Sequence, residues 1–238
     1  MNASGISLPE HDDAESIVRA SIQKLLREYI EAPLFNAREK DYQAVLFAML
    51  RAGFPGQVAA TFALANGRSN TRHRWSEPRT SRVHLEMGFG QKGQAGAATR
   101  PDIVVLRDHP VVLRCSVDGP ADIQETLRVE DVEVAIELKA APSQNVGEAR
   151  KFADDVVKLA RVQRVHRGLR CFAAVIDKSI SIPCASSIGL RVEDWLALVS
   201  GDLRYRDTQP NEPFVEVWFV DSRLIVPRRV FFAASDTA

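Results

Sequence analysis

No apolar run in this 238-residue chain approaches the ~20 residues that cross a bilayer as a helix, so no membrane partner is expected. The opening stretch, MNASGISLPEHDDAES, has neither the basic start nor the apolar core of a secretory signal, and a cytoplasmic location is the expectation. Cysteine is scarce. Cys115, Cys171 and Cys184 are odd in number and none sits in a C-x-x-C pair, which argues against a disulfide framework or a zinc site and for reduced thiols. The five histidines stand far apart, with no His-x-x-x-His pair, so a histidine-built metal site has little support. Repeats and low-complexity segments are missing as well. Neither charge sign is in excess: 31 Lys and Arg balance 31 Asp and Glu. Bulk attraction to nucleic acid usually comes with a basic chain, so composition gives no push that way.

What is present is enough apolar material for a sizeable core, 45% of residues, with 26% charged, as in soluble globular proteins. The length suits one large domain. The organisation expected is an N-terminal helical extension over 1–37, a core over 38–190, and a C-terminal helix and strand extension over 191–238 packed on that core.

Helical periodicity runs over 14–31 through Ile17, Ile22, Leu25, Leu26 and Tyr29, and again over 38–52 through Tyr42, Val45, Leu46, Met49 and Leu50. Gly53 followed by Pro55 reads as a left-handed C-terminal residue and a breaker. After a loop, SRVHLEMGF (81–89) alternates as one strand, with His84 and Glu86 on the same side. RPDIVVL (100–106) is a short buried strand, PVVLRCSV (110–117) reads as an extension of the same sheet, and VEVAIELKAA (132–141) is a further strand. Asn145 with Glu148 looks like a capping box opening a helix to about His166, whose apolar stripe includes Phe152, Val156 and Leu159. RCFAAVI (170–176) is another buried strand, VEDWLALV a short helix, and FVEVWFV and RLIVPRRVFF two terminal strands. Pro227 marks the last as an edge strand, because it cannot donate to a ladder. The order helix, three strands, helix, strand is an α/β pattern with a mixed sheet.

Charges at strand ends carry the chemistry. Along 132–141 the alternation sets Val134, Ile136 and Leu138 on one face and Glu133, Ala135, Glu137 and Lys139 on the other. If this strand pairs with 100–106, Asp102 sits close to Glu137. Two carboxylates in one place repel unless a cation joins them, and hard carboxylate oxygens suit magnesium. With Lys139 on the same face, the set suits phosphodiester hydrolysis.

Pro101-Asp102, then Glu137-x-Lys139, then a helix, resembles the PD-(D/E)xK nuclease superfamily. The resemblance spans roughly Arg38 to Asp177 and implies a restriction-endonuclease-like αβββαβ core, a mixed central sheet flanked by helices, with the N-terminal helix and C-terminal strands added to it. It implies Asp102, Glu137 and the Leu138 carbonyl as ligands of magnesium, with manganese as the substitute, and Lys139 as the water-activating residue. Glu39 in NAREKDYQAVLFAML occupies the place of the family's helix carboxylate. Gln43 shares its face as an accessory residue, and Glu86 is a further accessory acid. Asp154 and Lys158 fall on the helix that looks like the family's second core helix. The 34 residues between Asp102 and Glu137 exceed a hairpin turn, so 107–131 is expected to form an inserted hairpin or loop.

RSNTRHRWSEPRTSR (68–82) holds five arginines, one histidine and one tryptophan against one glutamate. Such a run is most often a solvated face. Beside a metal site, Arg68, Arg72, Arg74, Arg79 and Arg82 in an irregular loop would hold phosphates while Trp75 stacks on a base. The function expected is a magnesium-dependent endonuclease acting on DNA, in restriction, repair or defence. The alternative is a catalytically inactive module of the same fold that binds nucleic acid or a protein partner. A homodimer stays open under either.

Overall fold

The computed structural model describes residues 14–32, 38–64, 79–89, 100–117, 123–141, 146–177, 203–205, 214–221 and 224–232. Its helices are α1 (Ala14–Glu31), α2 (Glu39–Gly53) and α3 (Val146–Val165). Its strands are β1 (Gln57–Leu64), β2 (Arg79–Ser81), β3 (Val83–Leu85), β4 (Gly88–Phe89), β5 (Ile103–Leu106), β6 (Val111–Val117), β7 (Ile123–Leu127), β8 (Val132–Ala141), β9 (Arg170–Asp177), β10 (Leu203–Tyr205), β11 (Phe214–Asp221) and β12 (Leu224–Phe232). The architecture is α/β, as expected, but with two sheets. Seven strands run in the order β10-β12-β11-β9-β8-β5-β3, and five in the order β2-β1-β6-β7-β4.

The larger sheet is mixed. β3, β5 and β8 form an antiparallel meander, β9 lies parallel to β8, and β11 lies parallel to β9. A parallel neighbour needs a crossover, and α3 supplies it between β8 and β9. Strand alternation sorts the core onto two faces. Ile103, Val105, Val134, Ile136 and Leu138 join the buried stripes of α1 and α2: Val18, Ile22 and Leu26 with Tyr42, Leu46 and Leu50. Val104, Leu106, Val132, Ala135 and Val175 face the other way, against Phe152, Val156 and Leu159 of α3 and against Val58, Leu113 and Leu127 of the smaller sheet. Each fully buried leucine or isoleucine here contributes about 1.5–3 kcal/mol, which makes these two faces the main source of stability.

α1 is also held electrostatically. Glu216 of β11, 4% exposed, accepts from Arg19 Nε at 3.0 Å and Nη2 at 2.9 Å and from Trp218 Nε1 at 2.9 Å. Three charge-assisted bonds satisfy a carboxylate that burial alone would penalise.

Several expectations are corrected. Gly53 is the last residue of α2 and does not take the left-handed conformation. Its small size answers a different need, since a Cβ there would run into Ile17 Cγ2 of α1. The stretch 81–89 is not one strand. It breaks at Glu86, whose φ of 49° is left-handed, so β3 pairs with β5 while β4 pairs with β7 in the other sheet. The segment 107–131 does contain a hairpin, β6 with β7, but it does not extend the main sheet: β6 pairs in parallel with β1. β1 itself falls where a loop was read. Its alternation is real, with Val58 and Ala60 buried between exposed Gln57, Ala59 and Thr61, but alanine on both faces blurs the pattern. β12 is not the edge strand, because β10 pairs with its last three residues, Val230 to Phe232. Pro227 lies outside that pairing and stands opposite Trp218 of β11. Asn145 and the stretch 192–199, read as a short helix, lie outside the described residues.

Replacing Gly53 by alanine should therefore destabilise the chain. Alanine favours a helix over glycine by about 1 kcal/mol, but the added methyl must displace Ile17, a β-branched side chain with little rotamer freedom. Chemical denaturation is expected to show a net loss of about 1 kcal/mol for Gly53→Ala and a larger loss for Gly53→Val. A gain for Gly53→Ala would show that α1 yields freely.

Candidate active site

The pairing of β5 with β8 builds the site. Ile103 pairs with Ile136, and one further step of this antiparallel register sets Asp102 beside Glu137. The 34 residues that separate the two acids in sequence leave the main sheet as the β6–β7 hairpin and return through a 3-10 turn at Val129–Asp131. Asp131 anchors that return. It is 3% exposed and accepts from His109 Nε2, the Val112 N–H and Arg128 Nε at 3.2–3.3 Å.

The Asp102 carboxylate is held at both oxygens. The Leu138 N–H donates to Oδ2 at 2.6 Å, and Gln43 Nε2 donates to Oδ1 at 2.6 Å. Gln43, named as an accessory residue, is 6% exposed and reaches Asp102 from the second turn of α2. Glu39 opens α2, where a helix N-terminus favours an acid. Its Oε2 accepts the Ala140 N–H at 3.2 Å and pairs with Lys139 Nζ at 3.1 Å. Asp41 accepts the Arg38 N–H at 2.6 Å and closes the helix start. The first two turns of α2 therefore grip the C-terminal end of β8 at Leu138, Lys139 and Ala140, directly or through Asp102.

Charge accumulates here beyond what the described groups neutralise. Burial pushes the Glu137 carboxyl up to about 9, and the charges of Asp102, Asp155 and Glu39 add to this while Lys158 opposes it. Asp102 is raised to about 6, first by burial, with Glu39, Asp155 and Glu86 adding and the Leu138 N–H pulling the other way. Near neutral pH, Glu137 holds a proton and Asp102 has mostly lost its own. A divalent cation between them would reverse this, since opposite charge favours the ionised forms.

Hard carboxylate oxygens such as those of Asp102 and Glu137 are the donor type that magnesium takes. Among the described residues no three Asp, Glu, His or Cys side chains gather into an all-protein cage. Magnesium does not require one, because it binds through one or two carboxylates and keeps several waters.

Other candidate residues fall differently. Asp154 is exposed, whereas Asp155, half-buried on α3 and 2.6 Å from Lys158 Nζ, is the acid whose charge reaches Asp102 and Glu137. Helical phase held that signal: at 3.6 residues per turn, position 155 lies at the flank of the Phe152–Val156–Leu159 stripe and 154 lies nearly opposite it. Glu86 is exposed. Its N–H donates to the Asp102 carbonyl at 2.8 Å, and its carboxylate lies 3.5 Å from Arg100 and 4.0 Å from Lys40. Its left-handed backbone adjoins the site, where strained residues tend to concentrate.

Arg68, Arg72, Arg74 and Trp75 lie outside the described residues. The end of the arginine run is not an irregular loop, since Arg79–Ser81 is β2, paired with Gln57–Ala59. Arg79 is exposed. Arg82 is committed to the fold: it donates to the Leu106 carbonyl at 3.0 Å and to Glu133 at 2.8 Å, with its guanidinium 5.1 Å from the Phe54 ring centre.

No protein-family model matches this chain, and no curated protein is significantly similar to it. Among the described residues no helix is long and apolar enough to cross a membrane.

The buried acids predict a pH dependence of stability. The folded chain keeps the Glu137 proton between about pH 4.5 and 9, where the unfolded chain has lost it, so stability falls as pH rises through that window. Asp102 contributes in the same direction between 3.8 and about 6. In a chelator, Glu137→Gln is expected to flatten the decline and to be more stable than the parent at pH 8, on the order of 2 kcal/mol. Parallel pH profiles for parent and variant in urea unfolding would contradict the burial of this charge.

Proposed function

We propose that this chain is a magnesium-dependent endonuclease of the PD-(D/E)xK kind that hydrolyses phosphodiester bonds of DNA. The observation that supports the reading most is the meeting of Asp102 and Glu137 on neighbouring strands, with Lys139 two residues further along β8. In the larger sheet and its helices α2, β3, β5, β8, α3 and β9 follow in that order, with β1, β2, β4, β6 and β7 of the smaller sheet interleaved.

Asp102 and Glu137 would hold the ion, with the Leu138 carbonyl completing the set. The ion, when bound, supplies polarisation of the phosphate and a hydroxide nucleophile near neutral pH. The Lys139 ammonium lies 3.1 Å from Glu39 Oε2 at the C-terminal end of β8. Its part would be at the attacking water and at the phosphoryl oxygens as negative charge grows there. Glu39 orients that ammonium and, through the Ala140 N–H, the strand that bears it. Arg72, Arg74 and their neighbours in the basic run would hold the DNA backbone.

Asp102→Asn and Glu137→Gln are each expected to abolish nicking of supercoiled plasmid and to weaken magnesium binding measured by calorimetry. Lys139→Ala should keep magnesium binding and lose about 10²-fold or more in rate, the typical cost of one electrostatic partner. Glu39→Gln should be milder. An unsubstituted chain that neither binds magnesium nor nicks plasmid would refute the endonuclease reading and leave the inactive binding module in its place.

Arg72→Ala combined with Arg74→Ala should weaken DNA binding and reduce its salt dependence, since each lost phosphate contact releases fewer counterions. An unchanged slope of log affinity against log salt would remove the basic run from the interface.

A further inference from the structure

Gln43 stands out on α2 as a buried amide among apolar neighbours: Tyr42, Leu46 and Leu50 are the helix's other buried residues. An amide out of water costs free energy unless it is hydrogen-bonded, and a leucine or methionine at this position would bury with a gain. The bond from Nε2 to Asp102 Oδ1, at 2.6 Å, offsets that cost. With the Leu138 N–H on Oδ2, each carboxylate oxygen receives one donor, and rotation of the carboxylate about its last bond is stopped. Each oxygen keeps a further lone pair.

The residue type matters. A lysine or arginine at 43 would discharge Asp102 and compete with a cation. A glutamate would repel it. A neutral donor holds the carboxylate in place and leaves its charge available. We infer that Gln43 is a positioning residue that presents Asp102 to a divalent cation, acting on ion affinity rather than on the chemical step. The inference rests on the magnesium-dependent reading above. Partners that orient metal-binding groups typically contribute 10–100-fold in affinity or activity, so the expected effect is well within measurement.

The test uses Gln43→Met, which keeps side-chain volume and removes the donor, and Gln43→Asn, which keeps an amide but withdraws it by one methylene. Val45→Ala on the exposed side of the same helix is the control. Three quantities are read: the magnesium dissociation constant by calorimetry, the magnesium concentration giving half-maximal plasmid nicking, and the thermal unfolding midpoint in chelator. Both Gln43 variants should raise the first two about 10-fold, approach the parent rate at saturating magnesium, and melt close to the parent. Val45→Ala should change none of them.

If both Gln43 variants bind magnesium as the parent does, the positioning role is overturned and the endonuclease reading stands. The same holds if both lose rate at saturating magnesium in step with a lower melting midpoint, since that is the mark of a purely structural residue. A parent chain that binds no magnesium overturns the reading and the inference together.

Discussion

The Asp102 carboxylate joins three elements that are distant in sequence. It sits at the mouth of β5, takes one hydrogen bond from the backbone of β8 and another from a side chain of α2. The antiparallel register of β5 on β8 places it, and a slip of one residue would turn its neighbours Ile103 and Val105 away from the helices and into the opposite core. The apolar faces thus hold the register, and the register holds the acids together. Glu39 repeats the arrangement one turn earlier, tying α2 to Lys139 and Ala140.

This geometry has an electrostatic consequence. Bringing Asp102 and Glu137 together in a partly buried place disfavours two negative charges at once, and the protein alone meets this by leaving a proton on Glu137. The described positive groups nearby are already engaged, Lys139 with Glu39 and Lys158 with Asp155. A folded protein that retains such a pair gives up stability at neutral pH, as functional sites often do. The endonuclease we propose would use that imbalance to attract its ion.

Much of this was legible in the sequence, for identifiable reasons. α1 and α2 showed clean apolar stripes, and the alternation along 132–141 separated Val134, Ile136 and Leu138 from Ala135 as the two core clusters do. What escaped was non-local or locally ambiguous. The second sheet depends on a parallel pairing of β1 with β6, some fifty residues apart, and β1 is blurred by its alanines. Gly53 carried a helix-end signal, but contact with Ile17 explains it, and no local pattern encodes that. Gln43 was named only as an accessory on the face of Glu39, and its bond to Asp102 escaped because the two are 59 residues apart. Asp155 was missed in favour of Asp154 although helical phase separates them.

The central claim is that Glu137 holds a proton near neutral pH which a bound divalent ion must displace. Binding of magnesium to carboxylates releases such protons. Calorimetric titration of magnesium at pH 7 in two buffers of different ionisation enthalpy counts them directly. The account predicts that the parent chain releases close to one proton per magnesium bound. A binding heat identical in the two buffers, or no binding heat in either, would contradict it.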